Sequence, residues 1–401
     1  MVNQDRVRRF LILTSDSGFG HRSAANSIAK ALQSEHPEDS KVWIVNPIEE
    51  RYSPTYLRRN EHNYDRMVVE SPEWYRFTYE ISDSRVASSL VEGTLVLSLY
   101  QSLKQVVSEV HPDVVLTTTE MFNAPMGALR RYGRQLLPFH TVITDLADLH
   151  AMWFNPSPDL FYVANETVKA QAVAYGIAPE RVVISGIPVD IRFARKTSSK
   201  KDLRVTLGID ESLPTFLFVG SKRVDGIFEN LEFLEYLSLP FQVVVITGGD
   251  DALYAKVTGR AWRFPLRIEK LVDNMPEWMS AADILVTKAG GLILSEAMAA
   301  GLPVIMIDNL PGQESGNVRY ILEHRAGARV EEGSELLEVV REWLSDDRAT
   351  LQAVTENARK LGHPASAIDI AQMLWQSSIT QQPLRTFSRR IEPPPLIKKL
   401  F

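Results

Sequence analysis

Nine apolar runs of three or four residues recur along this chain and alternate with longer amphipathic stretches. In the first half they are Phe10–Leu13, Val42–Val45, Val114–Leu116, Thr141–Ile143 and Val182–Ile184. In the second they are Phe216–Val219, Val243–Ile246, Ile284–Val286 and Val304–Ile307. Runs this short and this rich in β-branched residues fit strands buried on both faces of a parallel sheet. Parallel neighbours need crossovers of a dozen or more residues, which the amphipathic stretches supply as helices. The series is interrupted once, at the polar stretch Ala194–Asp202. The expected fold class is therefore α/β, with two doubly wound domains. We place the first over 1–195, a linker over 196–213, the second over 214–378 and a tail over 379–401. The length of 401 residues and a hydrophobic content of 45% suffice for two such cores.

The chain has no cysteine, which excludes disulfides, thiolate nucleophiles and cysteine metal sites. Chemistry must come from oxygen and nitrogen groups. The eight histidines occur singly, and neither His-Glu-x-x-His, Asp-x-Asp nor a Walker sequence is present. No metal site and no cofactor are expected. A net charge of −6 argues against a nucleic-acid partner. No run reaches the ~18 apolar residues needed to span a bilayer, so a cytoplasmic location is expected.

Three segments carry candidate chemistry. After the first strand comes Thr14-Ser-Asp-Ser-Gly-Phe-Gly-His21, where Gly18 and Gly20 allow a tight turn into a helix and place His21 at the carboxyl edge of the sheet. Ser23 stands where a dinucleotide fingerprint needs its third glycine, which argues against such a cofactor. His21 is either a general base or a residue capping the turn. The second segment, Thr144–Asn155, combines Asp145, His150 and Trp153, a carboxylate, an imidazole and a flat apolar ring. It reads either as acid–base or acceptor-orienting chemistry or as a packed loop. In the third, the run Ile284–Val286 feeds Gly290-Gly291 and a helix start suited to a diphosphate. Glu296 lies little more than a turn into that helix, within reach of ribose hydroxyls, unless it faces solvent. The next strand ends in Asp308–Asn317, where Pro311-Gly312 makes a turn and Gln313 and Asn317 share a helical face.

The sequences Ser17-Gly-Phe-Gly-His21 with Ala24-Ala25, Thr144-Asp145 through His150 and Trp153, and Val286-Thr-Lys-Ala-Gly-Gly291 through Glu296 to Asn317 resemble a known group. This is the GT-B glycosyltransferases that include monogalactosyldiacylglycerol synthases and processive diacylglycerol glucosyltransferases. The resemblance covers about Phe10 to Val330. It implies two Rossmann-like domains facing a central cleft, a UDP-sugar donor on the second and a lipid acceptor on the first, with inversion by a single displacement. It further implies Gly290 and Gly291 at the diphosphate, Glu296 at the ribose, and Pro311, Gly312, Gln313, Glu314 and Asn317 around the donor sugar. Backbone from Val272 to Met275 would hold the base. His21, with Asp145, would be catalytic, and Gly18, Phe19, Gly20, His150 and Trp153 would line the acceptor side. The chain departs from the group at Val219–Gly226, where Ser221, Lys222 and Arg223 stand in place of a glycine-rich loop; Lys222 and Arg223 either replace its backbone amides as phosphate partners or face solvent.

Aromatic and basic residues interleave between Tyr52 and Tyr100, where acidic residues are equally frequent; packed helices or a headgroup interface both fit. From Arg385 onward the tail carries five basic residues against one acidic, with Phe387, Ile391, Leu396, Ile397, Leu400 and Phe401 between them. That pattern favours peripheral attachment to an anionic membrane surface. Three functions follow: a hexosyltransferase making glycolipid, a UDP-sugar epimerase of the same fold, or a non-catalytic nucleotide-sugar sensor.

Overall fold

The computed structural model of the chain describes residues 6–16, 19–51, 53–62, 83–133, 137–195, 198–310, 312 and 314–380. They form two compact units. One comprises residues up to Thr144, Leu149–Pro188 and the segment from Ser366; the other comprises Asp145–Asp148 and Val189–Ala365.

In the first unit β1 (Arg8–Leu13), β2 (Ser40–Val45), β3 (Val114–Thr117), β4 (Phe139–Val142), β5 (Leu160–Val163) and β6 (Val182–Ile184) build one parallel sheet in the order β2-β1-β3-β4-β5-β6. In the second, β7 (Thr215–Val219), β8 (Gln242–Ile246), β9 (Leu266–Glu269), β10 (Ile284–Lys288), β11 (Val304–Asp308) and β12 (Gly327–Arg329) lie in the order β12-β11-β10-β7-β8-β9, again all parallel. All nine expected strands are present. The order reverses between β1 and β3 and between β7 and β10, and ligands of such sheets bind outside the carboxyl ends at these reversals.

The helix Phe19–Glu35 follows β1 and buries Ala24, Ala25, Ile28 and Leu32 along one stripe; it stops just before Pro37, which disfavours a helical conformation for His36. Its outer side is covered by the helix Ser366–Thr380, where Trp375 stacks on His36 with ring centroids 3.5 Å apart. Arg8 donates to the Ser378 carbonyl at 3.3 Å. The last helix therefore completes the first unit and does not end the second domain as its place in the chain suggests. The expected linker, 196–213, holds the helix Lys200–Leu207. Ser199 and Asp202 close a capping box around its start, and buried Arg204 pairs with Asp283 and donates to the Ala281 carbonyl. The units divide at Pro188–Val189 instead.

The core of the second unit is made by alternate residues of its central strands, Phe216, Phe218, Val243, Val245, Ile284, Val286 and Ile305, packed under flanking helices. Burial of each such side chain stabilises by about 1.5–3 kcal/mol. This fixes the loop-bearing ends of β7, β10 and β11 as a rigid platform.

Candidate active site

In the first unit, His21 is the third residue of the helix Phe19–Glu35, so the helix begins two residues before it. Its Nδ1 lies 2.7 Å from the Thr118 carbonyl oxygen, just beyond β3, and 3.1 Å from the Thr144 hydroxyl, just beyond β4. Asp16, after β1, accepts two bonds at 2.8 Å from Arg22 and one at 3.0 Å from Asn46. Trp153 lies in the single-turn helix Ala151–Phe154 with its ring centroid 6.2 Å from that of His21. It is only 3% exposed, so it packs as core and offers no open apolar surface. His150 is also buried and caps that turn, its Nδ1 accepting from the Met152 N–H at 3.3 Å. Both side chains are thus packed within the turn they belong to. Gly20 is helical; Gly18 and the Phe19 side chain lie outside the described residues.

In the second unit, the Asn317 amide is fully buried and occupied. Its oxygen accepts from the Leu146 N–H at 2.9 Å, and its nitrogen donates to the Ala289 carbonyl at 3.0 Å and lies 3.4 Å from Asp145. Asn317 thus joins the ends of β10 and the helix Ser315–Glu323 to the segment Asp145–Asp148. A side chain at Gly316 would come within 2.6 Å of the Ala147 carbonyl, which explains the glycine there. Asp145 contacts this junction, whereas the ring of His21 is met by Thr118 and Thr144.

Gly290 caps the helix Gly291–Ala300 with φ −71°, a conformation open to any residue, and a Cβ there would meet neighbours only at ordinary contact distances of 3.5 Å or more. Neither backbone nor packing demands glycine. Its absence of a side chain leaves the outward N–H groups of the helix start uncovered, as an anion site requires. Beside it, Lys288 at the end of β10 pairs with buried Glu314 at 2.5 Å. Glu314 also accepts from the Leu310 N–H at 2.7 Å, while its own N–H returns to the Leu310 carbonyl at 3.0 Å. It staples the turn bearing Gly312, whose φ is 87°. Pro311 and Gln313 lie outside the described residues.

Glu296 is half-buried, and burial first, then the nearby charge of Asp190, pushes its carboxyl pKa up to about 8. A solvated helix face would not do this. Asp190 itself is bound by Arg192, which also reaches both oxygens of Glu277 at 3.2 Å and the Asp273 carbonyl at 2.6 Å. This network fixes the segment from Val272 into the helix Met275–Ala281. After β7, Gly220 and Gly248 approach so closely that a Cβ on Gly248, at φ +61°, would lie 2.2 Å from the Gly220 oxygen. Ser221 accepts from the Arg223 N–H at 3.2 Å, and Lys222 is exposed. Sequence reasoning did not single out Thr118, Thr144 or Lys288. Only Lys288 had a local signal, a cation at the end of a central strand two residues before the glycine pair.

Two parallel sheets of this order, each with its loops at a reversal point, define the GT-B fold. A family model for glycosyl transferases group 1 matches residues 199–361, and one for monogalactosyldiacylglycerol (MGDG) synthase matches residues 21–189. The monogalactosyldiacylglycerol synthase of Spinacia oleracea is 30% identical over 381 residues, 92% of this chain and 72% of that protein. The chain belongs to the monogalactosyldiacylglycerol synthase family. Among solved structures, MurG of Acinetobacter baumannii has a TM-score of 0.58 at 14% identity, covering 92% of this chain and 99% of that one. UDP-GlcNAc 2-epimerase of Neisseria meningitidis, bound to UDP-GlcNAc, has a TM-score of 0.57 at 16% identity, covering 92% and 99%. These likenesses concern the fold.

Proposed function

We propose that the chain is an inverting glycosyltransferase that moves a hexose from a UDP-sugar to a diacylglycerol-type lipid. The observation that carries this reading is family membership spanning both units, joined to a histidine whose ring is held at the carboxyl edge of the first sheet. In this reaction His21 takes the proton of the acceptor hydroxyl as that oxygen bonds to the anomeric carbon. The bond from that carbon to the diphosphate breaks at the same time, and the sugar inverts. Charge developing on the departing UDP is met by the helix start at Gly290-Gly291 and by Lys288. Glu296 accepts ribose hydroxyls, and the backbone of Val272–Met275, fixed by Arg192, lies against the base. Gln313 and Gly312 contribute to the sugar pocket, with Glu314 and Asn317 holding the loop in place. We assign the proton transfer to His21 and leave Asp145 as a partner of Asn317.

No helix among the described residues is long and apolar enough to cross a membrane. The tail, which lies outside those residues, supports peripheral attachment: each basic residue near anionic lipid is worth about 1 kcal/mol. On this reading the reaction takes place at the inner face of the cell membrane, with the chain peripheral on it.

The rival epimerase reading shares the fold and differs in its products. Incubation of the full chain with UDP-galactose or UDP-glucose, with and without diacylglycerol in mixed micelles, separates them. The proposal expects UDP and a glycosylated lipid only when diacylglycerol is present. Conversion of the UDP-sugar without acceptor would establish the epimerase, and binding without turnover the sensor.

A further inference from the structure

The contact between His21 Nδ1 and the Thr118 carbonyl oxygen is 2.7 Å. A carbonyl oxygen can only accept, so a bare Nδ1 at that distance would set two lone pairs against each other. The hydrogen therefore sits on Nδ1. It is donated to Thr118 and shared with Thr144 Oγ1 at 3.1 Å, and the lone pair of the neutral ring is on Nε2. Thr118 is itself anchored. Its hydroxyl donates to the His21 carbonyl at 3.0 Å and lies 3.0 Å from the Thr14 hydroxyl, while its N–H reaches the Leu13 carbonyl at 3.0 Å. Thr14, Thr118 and Thr144 follow β1, β3 and β4, three adjacent strands, so the sheet itself sets the ring's position. Thr144 is buried, and among the described residues the imidazole is the one hydrogen-bond partner of its hydroxyl. No carboxylate among those residues bonds the ring; Asp16 pairs with Arg22 and accepts from Asn46.

We propose that Thr144 is a positioning residue for hexosyl transfer: with the Thr118 carbonyl it locks His21 as the Nδ1–H tautomer, so that Nε2 is the atom that receives the acceptor proton. The proposal rests on the transferase reading above. In the step it serves, the O–H proton passes to Nε2 and the oxygen's electron pair forms the bond to the anomeric carbon. The pair of the breaking C–O bond leaves with UDP. The imidazolium then keeps its Nδ1–H on two neutral acceptors, and a carboxylate partner is not part of the base.

The test uses the full chain labelled with ¹⁵N-histidine, the His21 signals being assigned by their loss in His21→Ala. The proposal expects a protonated Nδ1 and a bare Nε2. It expects Thr144→Val to lower kcat roughly five- to ten-fold, the effect of one hydrogen bond, with donor KM and UDP affinity unchanged. Thr144→Ser, which keeps the hydroxyl, should restore the rate. Unchanged UDP binding verifies that the valine variant is folded. A Nε2–H tautomer, or wild-type kcat in Thr144→Val beside an inactive His21→Ala, overturns the proposal alone. Full activity in His21→Ala overturns it together with the assignment of His21 as base.

Discussion

The ring of His21 is held by a backbone carbonyl and a hydroxyl, whereas the donor-side residues of the second unit are held by ion pairs, Lys288 to Glu314 and Arg192 to Asp190 and Glu277. Under the proposed function, the difference follows from what each region would meet. A base acting on an alcohol needs a fixed direction and a free lone pair, which neutral dipoles supply without adding charge. A nucleoside diphosphate brings two negative phosphates and a pair of hydroxyls, so a binding region for it needs a cation and a carboxyl group already in place. The arrangement leaves Glu296 desolvated before donor arrives, with its pKa raised to about 8.

If this division is right, substitutions on the two sides fail in different ways. His21→Ala should lower kcat by about 10²–10⁴-fold while UDP affinity, measured by calorimetry, stays within about two-fold. A parallel loss of affinity would erase the distinction. Glu296→Gln should do the reverse and weaken UDP binding by roughly 10-fold through lost hydrogen bonds to ribose, with a smaller change in saturated rate.

The same variant reports on pH. In the donor-free protein the folded pKa of Glu296 lies above its ordinary value of 4.5, so between about pH 5 and pH 8 the unfolded chain releases a proton that the folded chain retains. Stability falls as pH rises through this window, and the loss is complete above about pH 8. Glu296→Gln removes that slope, so its stability advantage over the parent, read by urea unfolding, should grow from pH 5 to pH 8.

If Lys288 meets the second phosphate as proposed, Lys288→Met should raise donor KM about ten-fold and narrow the preference for UDP over UMP. Equal loss for UDP and UMP would move Lys288 from ligand binding to loop support. The smallest effect expected is on membranes. Removal of 381–401 should weaken co-sedimentation with anionic vesicles several-fold without changing turnover of diacylglycerol in detergent micelles.

The sequence carried the central strands because each is apolar on both faces. The three strands it did not disclose differ in composition or place. β5, Leu-Phe-Tyr-Val, follows a Pro-Asp pair and has a single β-branched residue; β9, Leu-Arg-Ile-Glu, alternates as a half-exposed edge; and β12 is three residues at the other edge. The helix Lys200–Leu207 was readable in its Ser199-x-x-Asp202 capping pair but was masked by the surrounding charge. The return of Ser366–Thr380 to the first unit depends on Trp375 meeting His36, a long-range contact with no local signal. The site divides similarly. His21, Gly290-Gly291 and Glu296 stand in recognisable strand–turn–helix patterns. Thr118 and Thr144 join His21 only because the β1-β3-β4 order brings together residues 97 and 123 positions away.

The stereochemistry of the lipid product tests the central claim most directly. With a UDP-hexose whose sugar is α-linked and diacylglycerol as acceptor, direct displacement assisted by His21 predicts a β-linked hexosyl-diacylglycerol, identified by its anomeric proton coupling. An α-linked lipid would contradict the single displacement, and the absence of any glycosylated lipid under conditions of UDP-sugar binding would contradict the transferase itself.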